Sequence, residues 1–227
     1  MRSPGSIVPL RLTDFVYPLG HPSSGPGVVF GYAVAHAEGV LLYDTGFGTD
    51  NEWVERELRP VTRDPRTALR AAGIEPADVT FVVNSHLHFD HCGGNALFAG
   101  VPIIAQRAEY DAAQETGYTV REWVDFPGAV YELVDGDVEP VTGIRVLATP
   151  GHTVGHQSLS VQTSGGVVVL AGHAIYSAAE YAGAAPAEPL SDVGLRSADR
   201  LHRLDPVRVF FSHDAEIWER RPGNEPS

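Results

Sequence analysis

VTFVVNSHLHFDHCGGN, residues 79–95, opens on an unbroken apolar run and ends in a crowd of polar ligands and two glycines. Val79–Val83 lacks polar alternation, which is how a strand covered on both faces reads. It delivers the chain to Ser85 and then to His86, His88, Asp90 and His91, an H-x-H-x-D-H pattern. Alternate residues of an extended segment face the same way, so His86 and His88 can grip one ion while Asp90 and His91, in the turn that follows, face a neighbouring one. Gly93 and Gly94 are expected to let the backbone fold tightly into a short helix.

Working outward, the same placement recurs. His152 follows Thr149-Pro150-Gly151, and His213 closes the apolar run Val207–Phe211. One histidine of the ten, taken alone, reads as a satisfied core or surface residue. Four ligand-type side chains between positions 86 and 91, each at a strand end, would be expensive to bury without a cation. Imidazole and carboxylate without thiolate suit zinc best, with iron, manganese or cobalt as alternatives. Cys92 reads as a small buried residue opening a helix rather than as a ligand. His156 reads as a hydrogen-bond partner of backbone or of a neighbouring ligand, whereas His21, His36 and His202 have no evident partner. Phe47, Phe89 and Ile175 flank motif residues and can line an apolar pocket or pack in the core.

Gly27–His36 and Gly39–Tyr43 read as paired strands joined at Ala37-Glu38-Gly39 and ending at Asp44. Asp64 as N-cap, Pro65 at the first helical position and Gly73 as a left-handed stop predict a helix over Pro65–Ala72. Further strands are expected at Pro102–Ala105, Val130–Val134, Ile144–Ala148, Gln157–Val161 and Val167–Leu170, and helices at Arg107–Glu115 and Ser191–Leu204. Sheets covered by helices follow from that order. The 227 residues show no repeat, low-complexity segment or compositional break, so one domain is expected, with 220–227 as a loose tail. A net charge of −13 and the absence of a basic stripe exclude nucleic acid as an expected partner. No apolar run approaches a membrane span and the start lacks a signal-type core, so the expected location is the cytoplasm. A single cysteine fits a reducing compartment. Oligomeric state is left open.

Ser85–Asn95 together with Thr149-Pro-Gly-His-Thr-Val-Gly-His-Gln-Ser158 resembles the metallo-β-lactamase superfamily. Within it the chain is similar to the N-acyl-homoserine lactonases, the quorum-quenching enzymes, through Leu42–Gly46, Pro102–Tyr110 and Phe210–Asp214 as well. The resemblance implies an αβ/βα four-layer sandwich: two mixed β-sheets, helices on the outer faces and the site at an edge where strands end. It implies a dinuclear, zinc-type site with His86, His88 and His152 on the first metal and Asp90, His91 and His213 on the second. Asp44 would orient a ligand imidazole, and Tyr176 would lie over the substrate carbonyl.

One departure matters. The family pattern puts a metal-bridging aspartate where this chain has His173. A carboxylate offers one oxygen to each of two ions about 3.5–4 Å apart, but the ring nitrogens of imidazole point away from each other and cannot span such a pair. Three outcomes are open: His173 is a terminal ligand with both metals retained, the second metal is weak, or His173 only hydrogen-bonds nearby.

The expected reaction is lactone opening by a metal-bound hydroxide, with no G-x-S-x-G elbow to compete. Asp90 would carry the proton to the leaving oxygen and Tyr176 would polarise the carbonyl. The substrate class is a small lactone, N-acyl-homoserine lactone first, or an ester. The rivals are another ester, thioester or amide hydrolase of the superfamily, a β-lactamase, an oxygen-dependent iron enzyme, and a metal-binding homologue whose His173 marks weakened catalysis. A basic pocket would favour glutathione-type thioesters, an uncharged apolar one acyl chains.

Overall fold

The computed structural model describes residues 3–21, 23, 25–186 and 189–220. Its strands are β1 (Ile7–Val16), β2 (Pro26–His36), β3 (Gly39–Tyr43), β4 (Val61–Thr62), β5 (Val79–Val83), β6 (Pro102–Gln106), β7 (Val130–Val134), β8 (Val138–Val141), β9 (Ile144–Ala148), β10 (Gln157–Thr163), β11 (Gly166–Leu170), β12 (Arg208–Phe210) and β13 (Trp218–Glu219). They form two mixed sheets, ordered β4-β1-β2-β3-β5-β6-β7 and β13-β12-β11-β10-β9-β8.

Alternation along β3 shows why four layers result. Leu41 and Tyr43 face the second sheet, where Val146, Leu159, Val161, Leu170 and Phe210 meet them. Val40 and Leu42 face outward against Leu69 of the helix Pro65–Ala71 and against Ile74. The outer face of the second sheet, Leu147, Val169 and Val209, is covered by Leu201 of the helix Asp192–His202 and by Ala178 and Tyr181. A strand covered on both faces has no polar side to show, and β5 reads apolar apart from Thr80 for that reason. Among the described residues no helix is long and apolar enough to cross a membrane.

Helix ends follow local chemistry. Asp64 accepts the Arg66 amide at 2.8 Å, Pro65 opens the helix, and Gly73 takes φ +74°. Ser191 caps Asp192–His202 through the Gly194 amide at 3.2 Å. The helix expected over Arg107–Glu115 closes earlier, at Ala112. Strand β1 carries no clear period in sequence because a bulge between Arg11 and Thr13 resets the phase: Leu10 and Leu12 are buried before it, Thr13 and Phe15 after it. Most of the expected loose tail, residues 221–227, lies outside the described residues. Arg220 is not loose, since its amide bonds the Val207 carbonyl at 3.0 Å and its guanidinium pairs with Asp205.

The glycines after the motif differ from expectation. The helix is Phe89–Cys92, ahead of them, so Asp90 and His91 sit on helical backbone. Gly93 has an ordinary helical φ of −61°. It is needed because a Cβ there would lie 1.9 Å from the Gly48 amide nitrogen, where the 46–48 loop crosses the motif.

Candidate metal centre

Strands that run the same way within each sheet bring distant residues to one edge. In the first sheet β3 ends at Asp44 and its parallel neighbour β5 leads to Ser85 and His86. In the second, β9 leads to His152, β11 to His173 and β12 to His213. Ligand-type atoms then gather in three overlapping sets, each within 4.8 Å: His86, His88 and His152; Asp90, His91 and His213; and His86, His91 and His173. The first two are the trios that the resemblance implied. The third contains the residue that departs from the family pattern.

Hydrogen bonds fix which nitrogen of each ring is available. Asp44, held at φ +61°, accepts the Ser85 amide at 2.7 Å, the Ser85 hydroxyl at 2.8 Å and His91 Nδ1–H at 2.9 Å. With its proton given to Asp44, Ser85 Oγ accepts from His86 Nδ1–H at 3.0 Å. His213 Nδ1–H donates to the Val28 carbonyl at 3.0 Å. The Nε2 atoms of His86, His91 and His213 therefore all point inward. His86 Nε2 is buried with no hydrogen-bond partner. His91 Nε2 faces His213 Nε2 at 3.3 Å, with Asp90 Oδ2 at 3.2 and 3.6 Å from the two. His88 Nδ1 and His152 Nε2 face each other at 3.2 Å. A buried orphan nitrogen on His86, with imidazole nitrogens and a carboxylate packed against one another beside it, is what a cation relieves, so the donor set fits divalent metal.

Without a cation the electrostatics separate the two trios. Burial, then the neighbouring rings of His88 and His156, press His152 down to about 2. Burial and the same crowding push His86 and His88 below the usual histidine value. Burial and His91 lower His213 to about 4, against the opposing pull of Asp90. For His91 burial is outweighed by the carboxylates of Asp90 and Asp44, which raise it to about 10. Burial of Asp90 is likewise outweighed by His91 and His213, leaving its carboxyl well below the usual range.

His173 turns inward because Gly172 adopts φ +63°, where a Cβ would also strike the Tyr43 hydroxyl at 2.6 Å. The His173 amide donates to His156 Nε2 at 2.9 Å, while His156 Nδ1–H donates to the Thr149 carbonyl at 3.1 Å. His156 is thus the backbone-bonding residue expected of it. The Tyr176 ring stacks on His213 at 5.2 Å, and its hydroxyl meets that of Tyr17. The Cys92 thiol donates to the Leu87 carbonyl at 3.4 Å, burial holds it protonated, and it belongs to none of the ligand sets. His36 bonds Thr80 and His202 stacks on Tyr181, both apart from these sets.

Beside the cluster opens a cavity of about 330 Å³ lined by Phe15, Tyr17, Pro18, Phe47, Trp53, Leu58 and Phe89, with His21 stacked on Tyr17 and with Tyr176 beside His213. No lysine or arginine lines it among the described residues. Phe47 and Phe89 serve the pocket, whereas Ile175 packs in the core against the second sheet.

Sequence reading missed Glu109 altogether. This buried carboxylate accepts the Leu87 amide at 2.9 Å, the Gly155 amide at 3.1 Å, the Thr153 hydroxyl at 2.7 Å and the Tyr118 hydroxyl at 2.6 Å. It ties the loop carrying His86 and His88 to the loop carrying His152. A glutamate on a short helix reads as solvated, and no local signal marks it otherwise. Tyr17 and Ser85 were missed as partners of Tyr176 and His86 because nothing in their local sequence shows who faces them.

Fold and cluster together define a class of protein, a two-sheet sandwich with an imidazole and carboxylate centre at one edge, and a family match gives that class its name. The chain belongs to the metallo-β-lactamase superfamily, whose family model matches residues 24–213. An N-acyl homoserine lactonase from a Bacillus species is 39% identical over 206 residues, 83% of this chain and 82% of the relative. The N-acyl homoserine lactonase AiiA of Bacillus thuringiensis subsp. kurstaki is 36% identical over 206 residues, with the same coverage. A solved N-acyl homoserine lactone hydrolase, with N-hexanoyl-L-homoserine bound at its catalytic metal centre, superposes with a TM-score of 0.80 at 29% identity, covering 94% of this chain and 95% of that one.

Proposed function

We propose that this chain is a single-domain metal-dependent hydrolase that opens the ring of N-acyl homoserine lactones. The observation that carries the reading is an apolar, cation-free cavity opening directly onto the ligand sets, a shape for an acyl chain with its ester at the centre. The absence of lysine and arginine among the described lining residues weighs against an anionic thioester substrate. Identity to N-acyl homoserine lactonases over most of the chain points the same way.

His86, His88 and His152 would hold one ion and Asp90, His91 and His213 a second, zinc being the best match to this donor set. Bound there, divalent ions supply Lewis acidity that brings a water toward ionisation near neutral pH and stabilises charge on oxygen. Asp90, held anionic among imidazoles, takes a proton from the attacking water and passes it to the ring oxygen as the ester C–O bond breaks. Tyr176 donates its hydroxyl proton to the carbonyl oxygen as negative charge develops there, and Tyr17 fixes the direction of that hydroxyl. The lone cysteine suits a reducing compartment, and the proposed location is the cytoplasm.

The test is hydrolysis of N-acyl homoserine lactones of graded chain length, beside plain lactones and esters, on zinc-reconstituted protein. Ring opening that improves with acyl length is expected. Turnover of esters with no lactone opened would replace the reading with a general esterase.

A further inference from the structure

We propose that His173 gives this chain a third metal site, His86–His91–His173, and that filling it with one ion excludes filling both outer sites. The inference rests on the metal-hydrolase reading and deepens it. An imidazole lone pair binds one ion at a time. The third set draws on His86, which the first trio needs, and on His91, which the second trio needs. One central ion therefore takes a nitrogen from each outer site at once, leaving His88 with His152 on one side and Asp90 with His213 on the other.

Geometry keeps His173 off the ion that His152 would hold. Its ring lies nearly parallel to that of His152, at 3.7 Å between centroids and 23° between planes. Lone pairs of stacked imidazoles run side by side in separate planes, so the two rings cannot converge on one ion. His86 and His91 instead present their rings to His173 at 64° and 41°, and His86 Nε2 is a buried atom without a hydrogen-bond partner. The backbone holds the ring in place, through Gly172 in a left-handed conformation and the His173 amide on His156 Nε2. A carboxylate at 173 would bridge the outer pair; an imidazole competes with it.

The chain thus has two loading modes, one central ion at low metal and two outer ions at high metal. The test titrates metal-free protein with Co²⁺, following visible absorption and measuring bound cobalt after gel filtration. Wild type should bind one Co²⁺ tightly and a second at least about tenfold more weakly, with the spectrum of the first ion changing as the second enters. His173→Ala should remove that spectral change and bring the two dissociation constants within about threefold. His173→Asp should bind two ions together, and it guards against a local effect of truncation at 173. Identical constants and spectra for wild type and His173→Ala would overturn the proposal while leaving the hydrolase reading intact. No cobalt binding by wild type would overturn both.

Discussion

The two trios at the sheet edge are built by different means. Asp90, His91 and His213 lie under direct control: a carboxylate at Asp44 and a carbonyl at Val28 each take the far Nδ1 proton of a ring, and Asp90 adds a negative charge. His86, His88 and His152 include no carboxylate, and among the described residues only His86 has its far nitrogen bonded, to the Ser85 hydroxyl. Their positions come from the backbone instead, through Glu109 binding the loops on either side. One side is organised ring by ring and charged; the other is organised loop by loop and neutral. The charged side should therefore govern proton movement and the neutral side should answer to loop rigidity.

The sharpest way to break this contrast is Asp90→Asn, which keeps shape and removes the charge. Loss of its proton role should cost roughly 10²- to 10⁴-fold in kcat, read by initial rates at saturating metal. A loss no larger than that of Tyr176→Phe would remove Asp90 from the chemistry. Tyr176→Phe itself should lower kcat by about ten- to a hundred-fold with little change in KM, as expected for one donor to a developing oxyanion.

Two substitutions away from the ligands sharpen the comparison. Asp44→Asn should weaken metal retention by about ten- to a hundred-fold, seen as faster loss of cobalt to a chelator. Glu109→Gln should reach a similar loss by another route, since it no longer accepts from four donors at once; here melting temperature should fall as well, by several degrees for the about 1–3 kcal/mol of buried groups left short of partners. An unchanged melting temperature for Glu109→Gln would contradict loop control by that carboxylate.

Acid should act more gently. In metal-free protein, burial holds His156 near 3 and His213 near 4 in the fold, against about 6.5 when unfolded. The unfolded chain therefore binds more protons between those values. Stability is present above about 6.5 and is lost progressively as pH falls below it. Melting temperatures of the metal-free protein measured from pH 7 down to pH 5 should decline, and a flat profile would argue against buried neutral imidazoles.

By itself the sequence determined the main strands and two principal helices, because covered strands read apolar and a cap such as Asp64 acts within a few residues. It also singled out the histidines that the fold gathers at one edge, since residues placed at strand ends are visible along one chain. It concealed β1, whose bulge breaks the period, and the glycines at 93 and 94, whose necessity comes from a loop some 45 positions away. Glu109, the hydroxyl pair of Tyr17 and Tyr176, and the sharing of His86 and His91 with His173 were decided only by tertiary structure. Each depends on distance and direction between segments far apart in sequence, and a lone pair's aim cannot be read until its neighbours are in place.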